Sequence, residues 1–407
     1  MHSTVERPIV PATDHPPGPT PQDRPTPTPA ALRAAFASAR AASAVRHRDL
    51  AAQLGVSEGA LVAAHVGPWA DSAPTAPATA QPAPASPLHA WRLRTDWPAL
   101  LQGLQTVGEV MALTRNASCV HEKTGHYLNF SGGPQMGLVL GPDIDLRLFF
   151  NHWAQAFAVE EHTAQGLQRS LQCFDASGTA VHKVFARAST DLAAWQRLVQ
   201  QQRDPVQTAG WLAGDAGATE PPRPAAEKPD AEVDVAAFRQ AWAGLRDTHD
   251  FFGLLRRFGL GRTQALRLAD PTFAQAVDPG SLRELLEAAA GEGTPIMVFT
   301  GNPGGIQIHT GPVHKVVVMG PWLNVLDPGF NLHLREDHIA QAWVVRKPTV
   351  DGLVTSLELF DAQGETIAML FGERKPGRAE LCAWRALTDR LVSTPGWVQE
   401  GQPCAHC

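Results

Sequence analysis

The sequence predicts an α+β fold built twice. Three observations carry that expectation: a long internal self-match, short apolar and β-branched runs punctuated by turn residues, and helical periodicity ahead of each set of such runs. Residues 110–185 align without a gap onto residues 296–371, an offset of 186 (296 − 110), with about a third of the pairs identical. The matches cluster. Gln155-Ala156-Phe157-Ala158-Val159 falls on Gln341-Ala342-Trp343-Val344-Val345, and Ser170-Leu171-Gln172-Cys173-Phe174-Asp175-Ala176 falls on Ser356-Leu357-Glu358-Leu359-Phe360-Asp361-Ala362. This period is far longer than the roughly 20–50 residues of solenoid repeats, so it marks a duplicated domain.

The elements follow in chain order. Residues 1–30 hold Pro-Pro-Gly-Pro-Thr-Pro and Pro-Thr-Pro-Thr-Pro, which support neither a helix nor a strand ladder, and read as a disordered tail. Helices are expected over 31–42 and 49–65, then an Ala/Pro/Thr/Ser-rich loop over 73–87. The first repeat spans 31–205 and carries an antiparallel sheet, with a hairpin over 170–185 turning at 175–178. A linker over 206–232 contains Pro221, Pro222, Pro224 and Pro229. The second repeat, 233–395, opens with helices over 235–258 and 263–269. Strands follow at 295–300 and 314–319, with a hairpin over 356–371 and a tail over 396–407.

Composition bounds the class. The chain has 407 residues, enough for two or three domains, and its 44% hydrophobic and 18% charged residues allow sizeable cores. A net charge of −6 gives no general attraction to nucleic acid or anionic lipid, so any anion site must be a local cluster. No run approaches the roughly 18 apolar residues of a membrane helix, and residues 1–30 lack the apolar core of a signal peptide. A cytoplasmic protein without an integral membrane segment is expected. The five scattered cysteines, Cys119, Cys173, Cys382, Cys404 and Cys407, fit reduced thiols better than a disulfide framework.

Several motifs compete for a function. Residues 50–61, with Arg46, His47 and Arg48 upstream, have the spacing of a DNA-binding helix-turn-helix. A Gly-terminated helix followed by a Ser cap gives the same string, however, and residues 58–64 offer no Arg, Lys, Asn or Gln to base edges. Over 235–258 an apolar stripe runs Phe238, Trp242, Leu245, Phe252, Leu255, Phe258, and His249 falls on it. A core histidine bonded to a carbonyl and an imidazole presented to a metal or haem iron are both consistent with that position. Arg256, Arg257, Arg262 and Arg267 beside it suit carboxylates. Zinc competes through the 16 histidines and the terminal Cys404-Ala405-His406-Cys407, which lacks a second ligand pair at zinc spacing. No Gly-x-Ser-x-Gly context exists, and Gly301-Asn302-Pro303-Gly304-Gly305 lacks the Lys-Ser/Thr of a phosphate loop and reads as a turn.

Over nearly all of 31–392 the chain resembles the HemS/HmuS/ChuS family of cytoplasmic haem-handling proteins. The strings that carry the resemblance are Gly108-Glu109-Val110-Met111-Ala112-Leu113-Thr114-Arg115-Asn116, Val120-His121-Glu122-Lys123-Thr124-Gly125, Asp145-Leu146-Arg147-Leu148-Phe149-Phe150-Asn151-His152-Trp153-Ala154, Asp247-Thr248-His249-Asp250-Phe251-Phe252, and Arg346-Lys347-Pro348-Thr349 with Thr355-Ser356-Leu357-Glu358-Leu359-Phe360. The resemblance implies two antiparallel sheets stacked centrally with helices at the ends, and one haem b, as ligand or substrate, in a cleft of the C-terminal half. It makes His249 the axial iron ligand and Arg147 the distal residue, and sets Arg262, Lys347 and Arg374 around the propionates. It implies haem binding after uptake, with either degradation by an oxygenase-like reaction or transfer of intact haem. The partners it implies are an inner-membrane haem importer, a haem oxygenase or an electron donor; the sequence has no flavin or nicotinamide motif. The chain departs from the family pattern at Phe371, where a tyrosine is common, and at Met369, where a polar residue is common. Arg147 has a plainer alternative, a salt bridge to Asp143 or Asp145. At the repeat offset Arg147 falls on His333 and Lys183 on Met369, and no histidine of the first copy falls opposite His249, so one haem site per chain is expected.

Overall fold

The computed structural model describes residues 27–42, 46–67, 87–212, 227–375 and 377–393. Most of the Pro-rich tail, the loop predicted at 73–87, the Pro-rich stretch of the linker and the Cys404–Cys407 tail lie outside these. In the first copy the strands are β1 (Leu88–Leu93), β2 (Gly108–Arg115), β3 (Cys119–Gly125), β4 (Ser131–Gly132), β5 (Met136–Leu140), β6 (Asp145–Phe149), β7 (Gln155–Thr163), β8 (Gly166–Phe174) and β9 (Ala180–Thr190). The second copy repeats them as β10 (Ala274–Val277), β11 (Ile296–Asn302), β12 (Gly305–Gly311), β13 (Val316–Met319), β14 (Trp322–Asp327), β15 (Phe330–Arg335), β16 (Gln341–Thr349), β17 (Gly352–Phe360) and β18 (Thr366–Gly372). Alternation makes these strands. β3, for instance, buries every second residue, as a sheet with one dry face requires.

The two nine-stranded sheets are composites. One runs β1-β7-β8-β9-β2-β3-β15-β14-β13 and the other β10-β16-β17-β18-β11-β12-β6-β5-β4. Each copy therefore lends three strands to the other's sheet, through antiparallel β3–β15 and β12–β6 pairs that set His333 opposite Val120 and Arg147 opposite Ile306. The exchange obeys a two-fold rule. Asn116 donates from Nδ2 to the carbonyls of Gly301 (3.1 Å) and Ile367 (2.9 Å), and Asn302 donates to the carbonyls of Arg115 (2.8 Å) and Val181 (2.9 Å). Each acceptor in one set is the 186-offset equivalent of its counterpart in the other, the reciprocity of an isologous interface. Lys123 and His309, equivalent to each other, meet at 2.9 Å, and the sheets stack where β2 faces β11 and β12.

Helices close both ends. In the first copy these are α1 (Pro29–Ala42), α2 (His47–Leu54), α3 (Glu58–Ala63), α4 (Trp97–Leu104) and α5 (Leu192–Gln202). In the second they are α6 (Val235–Ala243), α7 (Asp250–Phe258), α8 (Arg262–Leu268), α9 (Ser281–Glu292) and α10 (Cys382–Ser393). Neither long predicted helix is continuous. Over 49–65, Gly55 takes a left-handed C-cap (φ 70°) and Ser57 caps α3 by accepting from the Ala60 amide at 3.1 Å. Over 235–258, Gly244 ends α6, and Asp247 folds back to accept from the His249 amide at 2.8 Å. The sequence reading also set helices only ahead of each sheet, whereas α4, α5, α9 and α10 flank the strands on both sides. α3, the would-be recognition helix, buries Glu58, Gly59, Leu61, Val62 and Ala63 against β1 and β7 and has no face to offer a groove. Residues 227–232, assigned to the linker, pack on α8, where Gln264 donates to Lys228 O at 2.7 Å and Asp230 Oδ1 at 2.8 Å.

Candidate haem site

The helical ends of the two copies match at an offset of 204, which sets the left-handed Gly55 on Gly259 (φ 63°). Glu58 thus corresponds to Arg262, His47 to Phe251 and Val45 to His249. In the second copy, strand register lays Glu358, Met369, Phe299, Ile308 and Asp145 side by side across β17, β18, β11, β12 and β6. One step along, Gly301, Ile306 and Arg147 continue the same face. Phe299, Ile306, Met369 and Phe371 are half-buried there, forming an apolar shelf with charged groups at both ends. Phe371 meets Phe299 edge to face at 5.0 Å.

At the helical end, a fully buried Glu358 carboxylate is held by two cations. Arg262 donates from Nε at 2.8 Å and from Nη2 at 2.9 Å, Lys347 Nζ donates at 2.7 Å, and Ser356 Oγ adds a bond at 3.0 Å. Burial alone would raise this carboxyl, but Arg262 and Lys347 drive it far below the ordinary range. The trio keeps one net positive charge, and the Phe251 ring lies 5.3 Å from Arg262 and 4.6 Å from Lys347. Arg262 also reaches Met369 Sδ at 3.3 Å. Lys347 is spent inside this cluster and only 4% exposed, whereas Arg262 keeps an open edge at 27%.

His249 corrects the sequence reading. It lies outside the apolar stripe, at the turn into α7, with a side chain 93% exposed. Its Nδ1 bonds Asp247 Oδ1 at 2.6 Å, so Nε2 is the nitrogen left to point outward. Asp247 is the orienting acceptor that sequence reasoning missed. The Asp-x-His spacing within a helix-breaking turn was its only signal. Arg374 lies 3.7 Å from Asp351, and its charge reaches Asp247, which places it on the same rim. Arg147 is ion-paired with Asp145, as the plainer reading held, and keeps 35% of its side chain exposed. No hydrogen bond among the described residues joins His249 or Arg147 to the Glu358 cluster.

Beyond the shelf a cleft of about 760 Å³ opens between the copies, where their β2–β3 and β11–β12 turns cross. Phe149, Phe299, Ile306 and Met369 line it from the shelf side, and Arg115, Asn116 and Asn302 from the turns. That volume suits one organic ligand. The corresponding face of the first copy is filled: Lys183 Nζ bonds Glu58 at 2.6 Å, Arg115 pairs with the same carboxylate, and His47 and Arg40 meet Glu161 at 2.9 and 3.1 Å. Among the described residues no His, Cys, Asp and Glu group has metal-holding geometry.

Known proteins bear directly on this arrangement. The profile of the haemin-degrading HemS/ChuX domain matches the chain twice, at 55–202 and 259–391. The chain belongs to that family. It is 40% identical over 347 residues to the hemin transport protein HmuS of Yersinia pestis, covering 85% of this chain and 92% of that one. The crystal structure of holo-PhuS, a haem-binding protein from Pseudomonas aeruginosa, superposes with a TM-score of 0.81 at 49% identity, over 89% of this chain and 99% of PhuS. ChuS, described as an E. coli haem oxygenase, gives a TM-score of 0.73 at 37% identity, over 88% and 99%. The double match is the duplication seen in the sequence, and no described helix is long and apolar enough to cross a membrane.

Proposed function

We propose that this family member binds haem in the cytoplasm after uptake and opens the ring to release iron. The observation that carries the reading is the shelf of Phe299, Ile306, Met369 and Phe371, flanked by a cation cluster at one end and Arg147 at the other. The donor set fits the group. An apolar macrocycle needs such a surface, its two carboxylates need fixed positive charge, and a neutral imidazole is one of the groups that hold its iron. His249 would ligate through Nε2, with Asp247 orienting the ring from Nδ1. Arg262 and Arg374 would meet the propionates, with Lys347 behind them holding Glu358 in place.

Arg147 would give up its partly buried bond to Asp145 to donate to a polar group at the haem. Bound haem supplies the redox centre, and electrons would come from an external donor. An exposed histidine on a turn also suits a ligand that can be surrendered, so transfer of intact haem to a separate oxygenase is the second reading.

Hemin titration followed at the Soret band tests binding: saturation at one equivalent is expected, and an unchanged spectrum and affinity in His249→Ala would refute the ligand assignment. Adding an electron donor and oxygen, with and without catalase, separates the two readings. Catalase-resistant loss of the band with iron release marks degradation, and intact haem appearing on an acceptor marks transfer.

A further inference from the structure

Beneath the cleft, in the first copy only, lies a buried chain of aromatic rings that the haem reading leaves unused. Trp153 donates from Nε1 to Gly304 O at 2.7 Å. Gly304 adjoins the cleft-lining Pro303 and is packed so closely that a Cβ on it would meet Val181 at 2.7 Å and Trp153 Nε1 at 3.0 Å. The indole thus sits directly under the cleft wall. It stacks on His182 (centroids 6.1 Å, 27°) and meets Trp97 and Phe150 at 5.3 Å each. His182 Nε2 lies 2.6 Å from the hydroxyl of Tyr127, and its Nδ1 3.0 Å from Thr114 Oγ1. Tyr127 is fully buried, His182 is its hydrogen-bond partner, and it is the only tyrosine in the chain. Equivalent positions in the second copy are Val313, Ala368 and Ile339, so the duplication did not require the set.

A phenol gives up an electron readily only if its proton leaves in the same event. A neutral imidazole accepting the O–H at 2.6 Å, and itself donating to Thr114, provides that path. Burial holds His182 neutral, lowering it to about 4, and burial likewise raises Tyr127, so the proton rests on the phenol until an electron departs.

We propose that Tyr127 is a redox-active residue that drains oxidising equivalents from the cleft through Trp153. In each event the Tyr127 O–H bond breaks, the proton moves to His182 Nε2, and one electron passes by Trp153 to the oxidant. With hydrogen peroxide as the oxidant, two such electrons and two solvent protons convert one peroxide to two waters. Tyr127 is restored between events by a one-electron reductant of the ascorbate class, and its proton returns from His182. The source of oxidant in the cleft rests on the haem reading; the relay itself does not.

The test has two arms. In the haem-free chain, pulse-radiolytic azide radicals oxidise tryptophan, and the tryptophan-radical absorbance is expected to decay into that of a phenoxyl radical. Transfer should slow about twofold in heavy water and at least tenfold in Trp153→Phe. Absence of phenoxyl, or transfer indifferent to both changes, overturns the relay; if Trp153→Phe fails to fold, the heavy-water comparison on the native chain decides. In the hemin-loaded chain, freeze-quenching after hydrogen peroxide should give a phenoxyl electron-paramagnetic-resonance signal that Tyr127→Phe removes. A signal in the haem-free arm without one here would overturn the haem-side source while the relay stands.

Discussion

The two copies share a backbone and invert its charges. Where the first has Glu58, Glu161, Gln172 and Lys183, the second has Arg262, Lys347, Glu358 and Met369. In the first copy Lys183 and Arg115 reach into the face and neutralise Glu58, so the site is filled with its own side chains. In the second, Gly301 and Met369 stand at those two positions, the cations lie at one end around Glu358, and an apolar shelf stays open. A buried charge needs a partner wherever it lies. Whether that partner closes a surface or leaves a binding site depends on which strand supplies it.

The sharpest break in the comparison is Glu58→Ala, which strands Lys183 and Arg115 in the first copy. We expect a stability loss of about 3–5 kcal/mol in urea unfolding, with hemin affinity unchanged. A matching loss of affinity would show that the filled face also serves the ligand. Next, His249→Ala should weaken hemin binding by about a hundredfold, ~2.7 kcal/mol, without moving the unfolding midpoint, because the side chain is 93% exposed. Met369→Lys imposes the first copy's residue on the second; it should cover the shelf and cost about thirtyfold in affinity, ~2 kcal/mol, read by the same titration. Asp247→Ala removes the acceptor on Nδ1 together with the acceptor for the His249 amide, and about a tenfold loss is expected.

Acid acts on a buried, cation-held carboxylate in each copy, Glu58 in the first and Glu358 in the second. Burial would raise Glu58, but Lys183 and Arg115 lower it from 4.5 to about 2. A depressed carboxyl contributes stability above its unfolded value, so this contribution, about 3 kcal/mol, is present above pH ~4.5 and lost as pH falls toward 2. His182 and His65, both lowered to about 4 by burial, act earlier: the unfolded chain takes up protons below about pH 6.5 that the folded chain refuses. Unfolding midpoints measured from pH 7 to 3 should therefore fall first through the histidines. In Glu58→Gln the further fall below pH 4.5 should shrink to the part that Glu358 contributes; an unchanged profile there would show that Glu58 contributes none of it.

The duplication and the α+β class are legible in the chain alone. A 186-residue offset held over 76 aligned positions needs no coordinates, and alternation with turn residues marks strands locally. The polar differences between the copies are equally open to alignment, as Lys183 against Met369 illustrates. The break before Asp247 was hidden because Leu245, Phe252, Leu255 and Phe258 keep helical spacing across it, whereas α7 buries Phe251, Leu254 and Leu255, leaves Phe252 67% exposed, and leaves His249 off the buried face. The rest arises in three dimensions. Which sheet a strand joins depends on pairing between residues as far apart as Arg147 and Ile306 or Val120 and His333, so the exchange of β4–β6 for β13–β15 leaves no local trace. That exchange puts Arg147 beside Ile306 on the second copy's shelf. The same long-range packing buries Tyr127, His182 and Trp153 together, whereas Lys347 meets Glu358 across the β16–β17 hairpin. Periodicity is a property of neighbours along the chain, whereas charge compensation is a property of neighbours in space.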